Sequence, residues 1–268
     1  MIPGRQSSRP LSYCYDSRRS YLRHCTSIVR ALSRRCRWLR SDVAAHTGLM
    51  TAHKRATAFA PFFVYVAVFH LCWIAWPFVV YPRITALGNA TLAYALVNIS
   101  FRLQLWVAPV VLYLRQVDRI EPLGYLKLRH HVGRGIAVAL AVTALNLAGS
   151  VARFGLPHLS MQALTWNSVL GTSFFVGFIE EIPYRGFMLQ KFTERLGFGM
   201  ATMLTSLLFV AIHVPGWIAL HMLTIDRAAS IFIFAVVMSI VFRYAQSLWA
   251  PIVAHSANDC MSFLLFHI

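Results

Sequence analysis

The sequence predicts an all-α, polytopic membrane bundle of about seven to eight transmembrane helices. Three observations carry this. Of 268 residues 58% are hydrophobic and only 13% are charged, where a soluble domain of this length carries roughly a quarter charged residues. The apolar residues come in runs of about twenty rather than in amphipathic stripes, the length that crosses a bilayer. The cations behind the net charge of +16 sit in the N-terminal tail and in short connections. That distribution answers to anionic lipid and the positive-inside rule rather than to nucleic acid.

Two regions differ in kind. Residues 1–55 are dominated by Arg18, Arg19, Arg23, Arg30, Arg34, Arg35, Arg37 and Arg40 against Asp16 and Asp42, and read as a basic, disordered cytoplasmic tail. No apolar segment with a small-residue cleavage site follows within signal-peptide range. Residues 56–268 read as the membrane domain, with its chemistry in 172–268. Five cysteines show no CxxC pairing and no disulfide framework.

The first span is expected from Ala58 to Tyr81, and the second within Thr91 to Leu114, interrupted by Arg102. Arg115 to Arg134 is a basic connection. The third span covers Gly135 to Val151, and residues 154–167 are expected along the interface. The fourth, Thr172 to Phe192, is closed by Lys191, Glu194 and Arg195. Gly199 to Ile218, Ala229 to Tyr244, and Leu248 to the C-terminus complete the count. Counting cations alternately puts the tail, 115–134, 191–197 and Arg243 on one side, which predicts a cytoplasmic N-terminus in a multi-pass protein of the cell membrane. Trp73, Trp76, Trp106, Trp217 and Trp249 read as interfacial anchors, and His70 and His221 as hydrogen bonders between helices.

The fourth span organises the chain because it holds charge where hydrocarbon disfavours it. Glu181 and Arg185 stand four residues apart and predict a buried structural pair. Glu180 points about a hundred degrees away and has no local cation. It needs a partner from another helix or a task. His213 follows in the fifth span with Phe209 one turn earlier, and His255 opens the last with Asn258 and Asp259 on its face. A carboxylate and two imidazoles in a low-dielectric cleft can activate water. Two histidines and a carboxylate also make an open zinc shell, and Asp259 could orient His255 or complete that shell. Depth is a difficulty: straight spans would leave Glu180 about 16 Å and His213 about 24 Å from the 191–197 loop. Pro183, inside the motif, deletes a backbone bond and predicts a kink.

EExxxR at Glu180-Glu181-Arg185, FxxxH at Phe209-His213 and Hxxx(N/D) at His255-Asp259 occur in this order. From about Asn167 onward the chain resembles the CPBP family (CAAX protease and bacteriocin-processing, or Abi), the Rce1-like intramembrane proteases. The resemblance implies an intramembrane endopeptidase acting on membrane-tethered substrates, including prenylated CAAX-type peptides. It implies Glu180 as the base that activates water, His213 and His255 as its assistants, and Asp259 as an oxyanion binder or histidine orienter. Arg185, Glu181, Phe209 and Asn258 would support them. Zinc on His213, His255 and Glu180 and a metal-free glutamate mechanism are equally compatible. Partners are then membrane lipid and a peptide or protein substrate. A non-proteolytic binding or immunity protein on the same scaffold is the alternative, and a proton or cation transporter the third. The four polar groups are expected in one cleft, open toward the cytoplasm.

Overall fold

The computed structural model describes residues 59–266, so the basic tail read in 1–55 lies outside the described residues. Among the described residues every regular element is helical. Five helices are long and apolar enough to cross a membrane: Ala60–Leu87 (α1), Leu92–Gln116 (α2), Val132–Phe154 (α3), Asn167–Ala219 and Ile225–Ala245 (α6). At 53 residues, Asn167–Ala219 would run about 80 Å, far more than the roughly 30 Å of hydrocarbon. Gly197 divides it. Its φ of 74° and ψ of 164° are non-helical, a conformation that glycine alone adopts freely. The two parts, α4 (167–196) and α5 (198–219), are the fourth and fifth spans of the sequence. Trp249–Cys260 (α7), extended by the wide turn Met261–Phe266, completes seven segments.

The observed spans run a few residues past the hydrophobic runs because polar residues cap them. Thr91 accepts a hydrogen bond from Tyr94 N at the start of α2, and Thr224 does the same for Arg227 N at α6. Arg102 does not interrupt α2. It sits where regular helix gives way to the π turn Leu103–Val107. Wide turns also form at Trp76–Val80 and Ile182–Met188, each with proline in its first turn. A proline removes one N–H, and the neighbouring carbonyls are re-satisfied over a wider register. The helix therefore widens at Pro183 instead of breaking, and Glu180 and Glu181 are the last residues before the wide turn.

Small residues let the spans close. Ala139 of α3, Ala245 of α6, and Ala250 and Ala254 of α7 meet Met238 and Val241 in one buried cluster. Gly177 of α4 faces the Ile252 carbonyl of α7 and lies so near Ser256 that an added methyl would sit 2.6 Å from its hydroxyl. This close approach sets α4 and α7 side by side, with Glu180 one turn further along. A second cluster joins α1, α2 and α4 through edge-on rings: Tyr65 meets Phe187 at 5.0 Å and Tyr113 meets Phe187 at 5.1 Å. Large apolar side chains such as Val64, Leu140, Leu145 and Ile233 remain exposed, as lipid-facing positions are.

The connections fix the start and end of α7. Between α2 and α3, Lys127 donates to Gln246 Oε1 at 2.6 Å, Leu248 N donates to the Lys127 carbonyl, and Trp249 Nε1 donates to the Leu128 carbonyl at 2.8 Å. Burial, with Arg243 nearby, pulls the Lys127 ammonium below its usual range. The 154–167 stretch is tied by its backbone to the far end, His158 N and Ser160 N donating to the Leu265 and Leu264 carbonyls. The last helix is thus held at both ends, and His255 lies between them.

Candidate active site

Glu180 and Glu181 close the regular part of α4, and both are buried. Glu181 pairs with Arg185 as the spacing predicts, Nη1 to Oε1 at 2.9 Å. The same Oε1 accepts a second hydrogen bond, from His255 Nδ1 at 2.6 Å. Arg185 Nη2 donates to the Ala235 carbonyl of α6 at 2.9 Å, and its guanidinium lies 4.6 Å from the centre of the Phe209 ring. One carboxylate therefore links α4 to α6 and α7, with α5 stacked on the arginine.

Glu180 has its partner on another helix. Arg102 Nη2 of α2 donates to Glu180 Oε1 at 3.1 Å. The arginine is carried in turn by two indoles, its guanidinium carbon 5.7 Å from the Trp73 ring centre and 5.3 Å from that of Trp106. Those two rings stack on each other at 3.9 Å. Trp73, Trp76, Trp106 and Trp217 are buried, not interfacial anchors as their positions near span ends suggested. Trp249 is partly buried and bonded to the 117–131 connection. Among the expected helix bridgers, His70 joins α1 to α4 through Tyr184 Oη at 3.2 Å. His221 does not sit between helices; it lies past the end of α5, exposed, with left-handed backbone.

His255 collects the acids. Its Nε2 stands 4.0 Å from Glu180 Oε2 and 3.8 Å from Asp259 Oδ2. These separations are too long for direct hydrogen bonds and are the span that one intervening polar atom closes. Asp259 does not hold the second ring nitrogen of His255; Glu181 does. Asp259 is instead steadied by Asn258 Nδ2 at 3.0 Å, and Asn258 Oδ1 accepts from Asn146 of α3 at 2.8 Å. His213 stands on the next wall. Its Nδ1 donates to the Phe209 carbonyl at 2.7 Å, which leaves Nε2 free to act. Phe209 lies between the imidazoles, 5.0 Å from the ring centre of His213 and 6.1 Å from that of His255. Glu180, His255 and Asp259 are thus brought together, and His213 is set one ring away.

Among the described residues no group of three His, Cys, Asp or Glu side chains is placed to hold a metal ion, and Glu180 Oε1 already accepts from Arg102.

Arg102 is the residue that motif spacing misses. Its signal was present in a different form: a cation alone in an apolar span and a carboxylate alone in another, each too costly to leave unpaired. A cavity of about 380 Å³ ends on it, between the C-terminal half of α1, the N-terminal half of α2 and residues 162–168. Because spans alternate, this mouth lies at the opposite face from the 115–134 connection. A cytoplasmic 115–134 connection and a cytoplasmic mouth therefore exclude each other.

Fold and site together define a helical integral membrane protein with a buried acid, histidine and arginine cluster. Residues 162–261 match the family described as Type II CAAX prenyl endopeptidase Rce1-like. All three motifs fall inside that segment, and the family is the one they resemble. No curated protein and no solved structure matches the chain.

The shared Glu181 oxygen has a measurable consequence. Glu181→Gln leaves Arg185 buried without a countercharge, a loss expected to cost about 3–5 kcal/mol of stability. Glu181→Gln with Arg185→Met should restore most of it in thermal unfolding in detergent. Equal destabilisation of the single and double variants would show that the stranded Arg185 charge is not the source of the loss.

Proposed function

We propose that the chain is an intramembrane endopeptidase that hydrolyses peptide bonds of membrane-tethered substrates, CAAX-type prenylated peptides among them. The observation that carries this reading is the convergence of Glu180 Oε2 and Asp259 Oδ2 on His255 Nε2, at 4.0 and 3.8 Å, inside the segment matching the prenyl endopeptidase family.

In this mechanism Glu180 Oε2 takes a proton from water while the water oxygen attacks the scissile carbonyl. The carbonyl oxygen becomes an oxyanion, stabilised by the imidazoles. Glu181, bonded to His255 Nδ1 at 2.6 Å, fixes that ring with Nε2 toward the reacting atoms and favours its positive charge as the oxyanion forms. His213, its Nδ1 committed to the Phe209 carbonyl, presents Nε2 from the other wall. When the C–N bond breaks, the proton on Glu180 passes to the leaving amine. The products are a new terminal carboxyl group, which gives up its remaining proton to the amine or to solvent, and a free amine, and Glu180 has returned to its starting form. Asp259 keeps the charge around His255 balanced.

The chain would lie in the cell membrane with the N-terminus and the 115–134 connection cytoplasmic, because Arg115, Arg119, Lys127, Arg129, Arg134, Lys191 and Arg195 crowd that face. The cavity mouth then opens on the opposite face. Side-specific labelling of a cysteine placed at Leu123 should react from the cytoplasmic side; reaction from the other side would invert the assignment.

The 3.1 Å Arg102–Glu180 bond favours a second reading, since a base already paired is also what a purely structural ion pair looks like. In that reading the protein binds a peptide on the same scaffold without cutting it. Purified protein incubated with a peptide tethered through an S-prenyl cysteine separates the two. Cleavage is expected from wild type and is expected to fall by at least about 10³-fold in Glu180→Gln, the loss of a general base and more. Retained cleavage in the folded variant would remove Glu180 from the chemistry. A chelator arm in the same assay reads any dependence on zinc.

A further inference from the structure

The third span lies outside the segment that matches the prenyl endopeptidase family, residues 162–261, yet one of its residues reaches the acid and histidine cluster. Gly135, Ala139, Val142 and Asn146 follow one another along α3 at steps of four, three and four, which keeps them on one helical face. That face packs on α7. Gly135 lies so near the start of α7 that an added methyl would sit 3.3 Å from the Trp249 side chain. Ala139 joins Ala250 and Ala254 in the buried cluster, and Val142 packs against it. Three turns beyond Gly135 the stripe becomes polar, and Asn146 Nδ2 donates to Asn258 Oδ1 of α7 at 2.8 Å.

A carboxamide is a directional link, since its oxygen accepts and its nitrogen donates. Asn258 Nδ2 donates to Asp259 Oδ1 at 3.0 Å. Asn258 and Asp259 are neighbours on α7, and side chains one residue apart do not ordinarily face each other on a helix. The bond between them therefore needs Asn258 held from outside. Asn146 holds it, and holds it one way round, because a donor from α3 draws the Asn258 oxygen and turns the nitrogen toward Asp259. With one Asp259 oxygen so occupied, the other, Oδ2, stands 3.8 Å from His255 Nε2, the atom on which Glu180 also converges. The links run in one direction, from α3 toward the imidazole.

An asparagine in a membrane helix is often only a bridge between helices. A bridge is served equally by either orientation of the two amides. Here one orientation is required, because the far end of Asn258 meets a carboxylate oxygen, which accepts.

We propose that Asn146 is a positioning residue of the site: by fixing Asn258 it aims Asp259 Oδ2 at His255 Nε2. This role rests on the peptidase reading above and extends the site to a helix that the family segment does not include. Asn146 acts on the reacting groups rather than on the substrate, so its loss lowers turnover without weakening binding.

The test uses the full chain in detergent and two variants. Asn146→Leu removes the donor and suits an apolar span, whereas Asn146→Gln keeps a donor on a longer side chain. Cleavage of a peptide tethered through an S-prenyl cysteine is measured per folded molecule, the folded fraction being read from thermal unfolding. In Asn146→Leu kcat is expected to fall about 10- to 100-fold, on the scale of a misplacement of about 1 Å, with KM unchanged within about twofold. Asn146→Gln should recover most of the loss. Infrared difference spectra against Asp259→Asn isolate the Asp259 carboxyl band in each background. That band should shift in Asn146→Leu and return in Asn146→Gln, a change that a bridge acting only on stability would not produce. An unchanged kcat in Asn146→Leu, a loss of kcat with the band unmoved, or a Gln variant as slow as the Leu variant would overturn the assignment. A band that shifts and returns as expected, with no cleavage by wild type, would uphold the link from Asn146 to Asp259 and sink the peptidase reading instead.

Discussion

Two adjacent carboxylates are buried in one membrane helix, and each is neutralised by its own arginine. This constraint governs the arrangement of the spans. Successive helical residues point about a hundred degrees apart, and the hydrogen bonds to arginine divide accordingly. Glu181 uses Arg185 of the same helix, at 2.9 Å, while Glu180 draws Arg102 from α2, at 3.1 Å. Arg185 then reaches the Ala235 carbonyl of α6, and Glu181 reaches His255 of α7. Four helices are committed by two acids. The small residues at Gly177, Ala139 and Ala254 permit the approach, but the charges select which faces meet.

Much of this was legible in the sequence, for physical reasons that apply locally. Apolar runs mark spans because hydrocarbon thickness sets their length, and Glu181 with Arg185 is readable because four residues is one helical turn. What was hidden depends on which faces pack. Arg102 and Glu180 are 78 residues apart, and spacing cannot say which orphan charge meets which. The partner of His255 went to Glu181 rather than to Asp259, because α7 leans on α4 at Gly177 and brings the ring onto the neighbouring carboxylate. Tryptophans near span ends read as anchors by position. Trp73 and Trp106 are instead buried, stacked on each other at 3.9 Å beside the Arg102 guanidinium.

Depth was the other obstacle on paper. Counting 1.5 Å per residue along straight helices set Glu180 and the histidines at different levels. Wide turns at Asn167–Phe174 and Ile182–Met188 alter the register on both sides of Glu180, and α7 is pinned at each end by connections rather than by its own hydrophobicity. The chemistry proposed for the site uses the same economy. Glu181 stabilises the fold and orients an imidazole; Arg102 pairs with Glu180 and lines a polar cavity. A residue that answers a solvation problem also supplies a reacting or orienting group.

The central claim is that Glu180 and Arg102 hold each other across the α2–α4 interface. A double-mutant cycle on unfolding in detergent measures this most directly, with Glu180→Gln, Arg102→Met and the pair combined. Each single change should destabilise by leaving its partner's charge poorly compensated, and the double variant should be more stable than the sum of the two predicts, by about 1 kcal/mol or more. Additive effects within about 0.5 kcal/mol would show that the two groups do not depend on each other, and the account of the site would fail at its base.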